Sequence, residues 1–353
     1  MPHRTSPRPT QRQIADEVGV SVTTVSRILN PDEANPERWA SAKTVDMIQC
    51  AAAALGYRPN ALAVSLRKSR SDTIGIMVPA TGDMSLAAIH SGIDEVAREN
   101  DMMAILSCSF DDPRLSLERI TNLMDHLIAG LVVADSHMDA NYIESIREQG
   151  VPFTLVHRRH NADVSVTADD IAAGKLAAQH LIGIGRRRLA FVGGLQHSPV
   201  SLDQIQGLTS EVAQAGLGAP VIFDTGFDVD AGELAASELI ARTPMPDAVF
   251  AINDAVAMGL ISGLRAQGFR VPQDVAVVAS ADTPASKAAD ITSIYVDLNQ
   301  MGRRSCQLLL DRIAGKPTES EILPVSLVVR GSTSCPTMVM GPIPMLNQSM
   351  SLL

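Results

Sequence analysis

Residues Gln11 to Asn30 read QRQIADEVGVSVTTVSRILN. Ile14, Ala15 and Val18 recur at helical spacing. Gly19 supplies the permissive backbone that ends a first helix, and Val20 is an apolar anchor inside the turn. Ser21 is a good N-cap for a second helix, whose inward positions are Val25 and Ile28. Ala15 is small enough for the second helix to cross closely over the first. Two short helices joined this way form a helix-turn-helix, which lays its second helix in the DNA major groove.

The A-x-x-x-G-V-S pattern alone fits any short helical hairpin. The run T-V-S-R-x-L-N that follows, Thr24 to Asn30, is more specific. With it the stretch resembles the DNA-binding head of the lactose/galactose repressor (LacI/GalR) family. The exposed early positions of the second helix are Val22, Thr23 and Thr24, with Arg27 one turn on and Asn30 at the end. Residues near the start of such a helix reach base edges. Arg bonds guanine bidentately, and Val or Thr touches a thymine methyl. Ser21 and Ser26 are the expected phosphate contacts.

After Asn30 comes PDEANPERWA, rich in Pro and charge, which reads as a loop over 31–40. Ser41 caps a third helix, SAKTVDMIQCAAAAL, through about Leu55, closed by Gly56. By the resemblance, the loop is an insertion of several residues. Trp39, the sole tryptophan, either staples the third helix to the head or is an exposed partner contact. The segment YRPNALAVSLR, 57–67, begins at a Pro-Asn helix start and is too short to be a stable helix in water. It reads either as a flexible linker or, since it resembles the family's hinge helix, as a segment that orders when two subunits pair over the operator. The resemblance implies DNA contacts from Asn60, Ala63, Leu66 and Arg67. Leu66 would wedge into a minor-groove base step and kink the DNA. Arg58, Arg67, Lys68 and Arg70 would meet phosphates.

At 353 residues the chain is too long for one DNA-binding module and suggests a small head plus one large or two medium domains. A hydrophobic content of 46% suffices for a real core. The net charge of −10 looks wrong for a DNA binder, but residues 1–71 hold ten Lys and Arg against six Asp and Glu. The remainder holds 19 against 33. A basic head on an acidic body is a plausible footprint for duplex DNA, although acidic bodies are common in ordinary soluble proteins. Cys50, Cys108, Cys306 and Cys335 are scattered without metal-ligand spacing, and Cys50 and Cys306 are expected to be buried in helices. MPHRTSPRPT lacks the apolar segment of a signal sequence, and no run approaches transmembrane length. A cytoplasmic, reduced protein with no membrane partner and no cofactor is expected.

From Thr73 the texture changes. TIGIMVP, MMAILSC, GLVVAD and PFTLVH are strand-like, with helical stretches between, and LAFVGG, AVFAIND, VAVVAS and ITSIYV form a second series. The alternation argues for parallel sheets in α/β units. Two series imply two lobes, with ligands between them at the strand C-terminal ends. No G-x-G-x-x-G follows a strand. This body also resembles the repressor family, whose core is similar to a type I periplasmic sugar-binding protein. The matching pieces include Thr73-Ile74-Gly75, Asp169 with His180-Leu181, Phe191-Val192-Gly193-Gly194, Asn253-Asp254, Val271-Pro272, Met301-Gly302 and Val329 to Thr333. The expected organisation is a head over 1–57, a hinge over 58–71, a two-lobed effector-binding and dimerisation domain over 72–340, and a tail over 341–353. Lobe 1 takes about 72–167 and 298–325, and lobe 2 about 168–297 and 326–340.

The resemblance places an effector site on Ser85, Leu86, His157, Arg158, Gln204, Asn253, Asp282 and Val296, and this chain departs from the family at several of them. Aromatics are replaced by Ser85 and Leu86, an Arg by Gln204, an Asp by His157, and the first of a paired Asp by Ala281 before Asp282. Neutral sugars need carboxylates and amides. The run His157-Arg158-Arg159-His160 is either a solvated loop or a move of the cleft edge toward an anionic effector, such as a sugar acid. A cleft that binds nothing small is the third option. Leu115 to Ile128 is amphipathic and packs either in the core or at a dimer seam, while the Pro-broken tail does not suit a heptad coiled coil.

The resemblance therefore implies a dimeric, ligand-modulated regulator of transcription, more a repressor than an activator, on a near-palindromic operator. A solute-binding protein without a DNA role is the alternative. The body shows no nucleophile elbow, HExxH or P-loop, so no catalytic residue or metal ligand is assigned. Arg27→Ala should weaken operator binding in a mobility-shift titration while the circular dichroism of the head stays native. Unchanged affinity would remove Arg27 from the interface.

Overall fold

The short helices of the head begin and end where their flanking residues dictate. The computed structural model describes residues 9–30, 33–58, 71–80, 82–110, 112–134, 141–195 and 198–334. The chain divides into two compact units, Met1–Ser71 and Asp72–Leu353. In the first, helix α1 spans Gln11–Val18. Thr10 and Gln13 close a reciprocal capping box at its start, Gln13 N–H to Thr10 Oγ1 at 3.3 Å and Thr10 N–H to Gln13 Oε1 at 2.8 Å. Gly19 ends it at φ 75°, a conformation that favours glycine. Helix α2 spans Val22–Ile28, capped by Ser21, whose Oγ accepts the Thr24 N–H at 3.0 Å. A 3-10 turn covers Pro36–Arg38, and α3 spans Ala42–Leu55 between Ser41 and Gly56. Ile14, Ala15, Val25, Ile28, Val45, Ile48, Ala51 and Ala52 form one buried cluster. Cys50 is exposed, against expectation. At 100° per residue it lies roughly 200° around α3 from the buried Ile48, on the solvent side. The hinge residues Asn60, Ala63, Leu66 and Arg67, together with Cys335 and the tail, lie outside the described residues.

The second unit carries two sheets. Its elements begin with β1 (Thr73–Val78), α4 (Met84–Glu99), β2 (Met103–Cys108), α5 (Pro113–Asp125), β3 (Gly130–Val133), α6 (Asn141–Glu148), β4 (Phe153–Val156) and β5 (Ser165–Ala168). Next come α7 (Asp170–Gly183), β6 (Leu189–Val192), α8 (Pro199–Gln214), β7 (Val221–Phe223), α9 (Val229–Ile240), β8 (Ala248–Ala251) and α10 (Asp254–Ala266). The last are β9 (Ala276–Ala281), α11 (Pro284–Ala288), β10 (Thr292–Tyr295), α12 (Leu298–Ile313), β11 (Glu321–Leu323) and β12 (Ser326–Val328). The strand orders are β11-β5-β4-β3-β1-β2 and β12-β10-β9-β8-β6-β7. Among the described residues every pairing between these strands is parallel except β10 with β12.

Both faces of each sheet are covered, which is why the central strands read as continuous apolar runs. On β1, Ile74, Ile76 and Val78 join a cluster with Ile89, Met301 and Leu309, whereas Met77 faces Ile120, Tyr142 and Ile143 on the other side. Helix α5 thus sends Ile120 and Leu123 into the core and leaves Leu117 exposed, as is Leu127 just beyond its end. Cys306 is buried, as expected.

The chain passes between the sheets three times, from β5 into α7, from β10 into α12, and from β11 into β12. Helix α12 returns to the first sheet, where the Thr154 hydroxyl donates to the Ser305 carbonyl at 3.1 Å.

Three helix pairs pack backbone to backbone through reciprocal glycines. A Cβ on Gly92 would lie 2.0 Å from the Asn299 carbonyl oxygen, and one on Gly302 1.9 Å from that of Ile89. The same exchange links Gly174 to Gln204 and Gly207 to Ile171, each at 2.1 Å. It recurs between Gly232 and Val256 at 2.2 Å and between Gly259 and Val229 at 2.0 Å. Overpacking of this kind costs about 1–3 kcal/mol. Urea unfolding should show Gly302→Ala destabilised by about that amount. Gly183→Ala is the control: nothing lies within 4 Å of its added Cβ, so stability should be kept or gained.

Candidate DNA-reading helix and effector cleft

Helix α2 turns Val25 and Ile28 inward, so Val22, Thr23 and Arg27 face solvent, Val22 with 43% of its surface exposed. Thr24, Ser26 and Asn30 are half-buried. The Thr24 hydroxyl lies 2.8 Å from Ser21 Oγ, so both side chains hold the helix start. Arg27 lies with its guanidinium carbon 4.0 Å from the centroid of the Trp39 ring. The indole is 36% exposed, and its N–H donates to Glu33 Oε2 at 2.5 Å. That bond holds the Glu33 carboxyl below its ordinary pKa. Trp39 therefore packs on the reading helix.

In the second unit a cavity of about 490 Å³ opens at the C-terminal strand ends of both sheets. Pro79, Ala134, His157 and Ala168 follow or close β1, β3, β4 and β5, while Leu195, Ile252, Ala281 and Val296 follow or close β6, β8, β9 and β10. Each passage between the lobes contributes a lining residue, Ala168, Val296 and Val325. This is the place where open α/β sheets bind ligands.

Seven of the eight expected effector residues line it: Ser85, Leu86, His157, Arg158, Gln204, Asn253 and Val296. Their polar atoms differ in availability. Asn253 caps α10, with Oδ1 accepting the Val256 N–H at 2.9 Å and Nδ2 donating to the Phe227 carbonyl at 2.8 Å. Arg158 is buried and donates to the Tyr142 hydroxyl. Gln204 Nε2 donates to Asp170 Oδ1 at 2.9 Å and to Ser280 Oγ at 3.3 Å, whereas its buried Oε1 has no partner. The same holds for His157 Nδ1. Burial lowers the His157 pKa, so the ring is neutral at pH 7.

Asp282 is the exception. Ala281 and Asp282 both take positive φ, 95° and 50°, which breaks the alternation at the end of β9. The Asp282 carboxylate turns to Arg330, at 2.5 and 3.1 Å, and is not part of the cavity lining. In the basic run, Arg158 lines the cavity, Arg159 pairs with Asp203 at 2.6 Å and His160 Nδ1 lies 3.0 Å from Asp163.

Sequence reasoning missed Asp170. Its neighbour Asp169, chosen for the family match, is the N-cap of α7, accepting the Ala172 N–H at 2.9 Å. Asp170 lies one residue on, buried in the cavity wall, and burial pushes its pKa up to about 7 against the lowering bond from Gln204. Ser198 and Ser280 are two more buried linings, and Asp83, half-buried, caps α4. A carboxylate paired to a buried amide across two helices gives no local spacing signal.

A model of bacterial regulatory proteins of the lacI family matches residues 10–60, and one of a periplasmic binding protein-like domain matches 178–333. The HTH-type transcriptional regulator CelR of Thermobifida fusca is 32% identical over 341 residues, covering 92% of this chain and 98% of that protein. The chain belongs to the lacI family of bacterial regulatory proteins. It is a DNA-binding transcriptional regulator, which removes the solute-binding alternative. A solved CelR–cellobiose complex is 30% identical with a TM-score of 0.69, covering 92% of this chain and all of that one. The Lac repressor dimer on operator shares the family fold, with a TM-score of 0.80 at 23% identity over 93% of this chain and 99% of that one. No helix among the described residues is long and apolar enough to cross a membrane.

The raised pKa of Asp170 sets a pH dependence. Unfolded, the group titrates near 3.8, and folded near 7, so the native state holds the proton between those values. Its contribution to stability is full below about pH 4 and declines as pH rises to about 7. Asp170→Asn keeps the acceptor for Gln204. Denaturant titrations should show the ligand-free variant more stable than the parent at pH 8, with the gap closing toward pH 4.

Proposed function

We propose that this regulator is a cytoplasmic, homodimeric repressor whose hold on a near-palindromic operator is set by a neutral, hydroxyl-rich effector of the sugar class. Two copies of α2 enter successive major grooves, with Val22, Thr23 and Arg27 at base edges and Ser21, Thr24, Ser26 and Asn30 beside them. Asn60, Ala63, Leu66 and Arg67 contribute the hinge contacts. The protein acts by binding and release, not by turnover.

One observation carries the effector reading: Gln204 Oε1 and His157 Nδ1 are buried without partners in the wall of one cavity, beside the Asp170 carboxyl. Buried polar atoms left unmatched cost stability, and a shift of the surrounding side chains on binding would let ligand hydroxyls supply what they lack. The volume of about 490 Å³ falls within the usual range of small-molecule sites, roughly 300–1,000 Å³. A neutral ligand is favoured over an acid because Arg159 is ion-paired, the one cation of the run in the lining, Arg158, is bonded to Tyr142, and carboxyls from Asp83, Asp170 and Asp228 line the cavity. The relative CelR, solved with cellobiose, supports the sugar class. Effector binding shifts the population of lobe arrangements, and so operator affinity, by its difference in affinity for the two states.

Calorimetry with neutral mono- and disaccharides and with the matching uronic acids tests this reading. A neutral sugar should bind, raise the melting temperature and change operator affinity, and Gln204→Ala should weaken it. Binding of acids alone would overturn it.

A further inference from the structure

We propose that Trp39 is a positioning residue for base reading, a platform that fixes the Arg27 guanidinium so that its edge meets a base. This rests on the reading of Arg27 as a base contact. The stacking distance, 4.0 Å from guanidinium carbon to ring centroid, is that of a close cation–π contact. The platform is itself held at two points, and its side-chain acceptor at a third. The Trp39 indole N–H donates to Glu33 Oε2 at 2.5 Å, and its backbone N–H donates to the Pro36 carbonyl at 3.0 Å. The other Glu33 oxygen accepts the Asn35 N–H at 3.0 Å. Arg38 stands near the same ring, at 5.5 Å.

Arg27 is exposed, and a guanidinium stacked by its face on the ring would keep its in-plane N–H donors free for a base. Those donors bond guanine O6 and N7 bidentately. A long arginine on an exposed helix loses rotamer freedom when it docks. The indole removes part of that freedom beforehand, so the loop over 33–40, far from being an idle insertion, sets how selectively Arg27 reads its base pair.

The test uses the full-length protein and an operator duplex that the wild type selects from a random pool. Fluorescence anisotropy measures affinity for that duplex, for the same duplex with single G·C pairs changed to A·T, and for unrelated duplex. Trp39→Leu should lose about two- to fivefold in operator affinity and lose discrimination at the pair that Arg27→Ala also stops reading. Its affinity for unrelated duplex and its melting curve should stay close to the parent, and Trp39→Phe should recover most of the loss. In the Arg27→Ala background, Trp39→Leu should add nothing. Equal losses on operator and unrelated DNA, or a tighter operator complex, would overturn the proposal. So would unchanged Trp39→Leu binding alongside a defect in Arg27→Ala. If Arg27→Ala itself binds operator normally, the base-contact reading fails first and the positioning role falls with it.

Discussion

The body depends on six glycines that let helix backbones touch. Each faces a carbonyl oxygen of the partner helix at a distance where a side-chain carbon would stand 1.9–2.2 Å away. The exchange is reciprocal in all three pairs, α4 with α12, α7 with α8, and α9 with α10. Its depth is what the cleft is built on. Gly174 sits against the Gln204 carbonyl, so the close approach of α7 and α8 brings Asp170 and Gln204 within 2.9 Å. Gly232 sits against the Val256 carbonyl, and near that contact Asn253 bonds the Phe227 carbonyl that precedes α9. A packing constraint among small residues thus becomes a placement of polar atoms in the cavity wall.

Features written in consecutive residues could be read in advance. The caps Ser21, Ser41 and the glycines Gly19 and Gly56 act locally, and each stands where its neighbours place it. The eight apolar runs were readable because burial on both faces of most of these strands leaves few polar interruptions, such as Thr154 and Ser293. Strands β7, β11 and β12 are three residues each, too short for a pattern. Site residues divide the same way. Ser85, Leu86 and Gln204 were placed by the family resemblance and line the cavity, whereas Asp282 turns away because of a local φ reversal and Asp170 enters through its α8 partner. Cys50 shows the limit of composition: a small thiol within an Ala-rich helix still has a solvent side.

Electrostatics in the cleft follow burial more than formal charge. The run His157 to His160 carries up to four cationic groups. Of these, His157 is held neutral by desolvation, Arg159 and His160 have carboxylate partners, and Arg158 is tied to Tyr142. Asp170, formally an anion, accepts from Gln204, and burial raises its pKa to about 7, so its carboxyl can hold a proton to donate. The wall therefore suits hydroxyl groups, which also do both.

Three separate chain passages connect the lobes, and Ala168, Val296 and Val325 put one wall contact on each. A single strap would allow the lobes to twist and tilt freely. Three straps would suppress twisting and leave hinge bending as the soft motion. A molecule seated in the cavity would lie against all three straps at Ala168, Val296 and Val325, so its shape would bear on their bending directly, with no longer chain of relays inside the body.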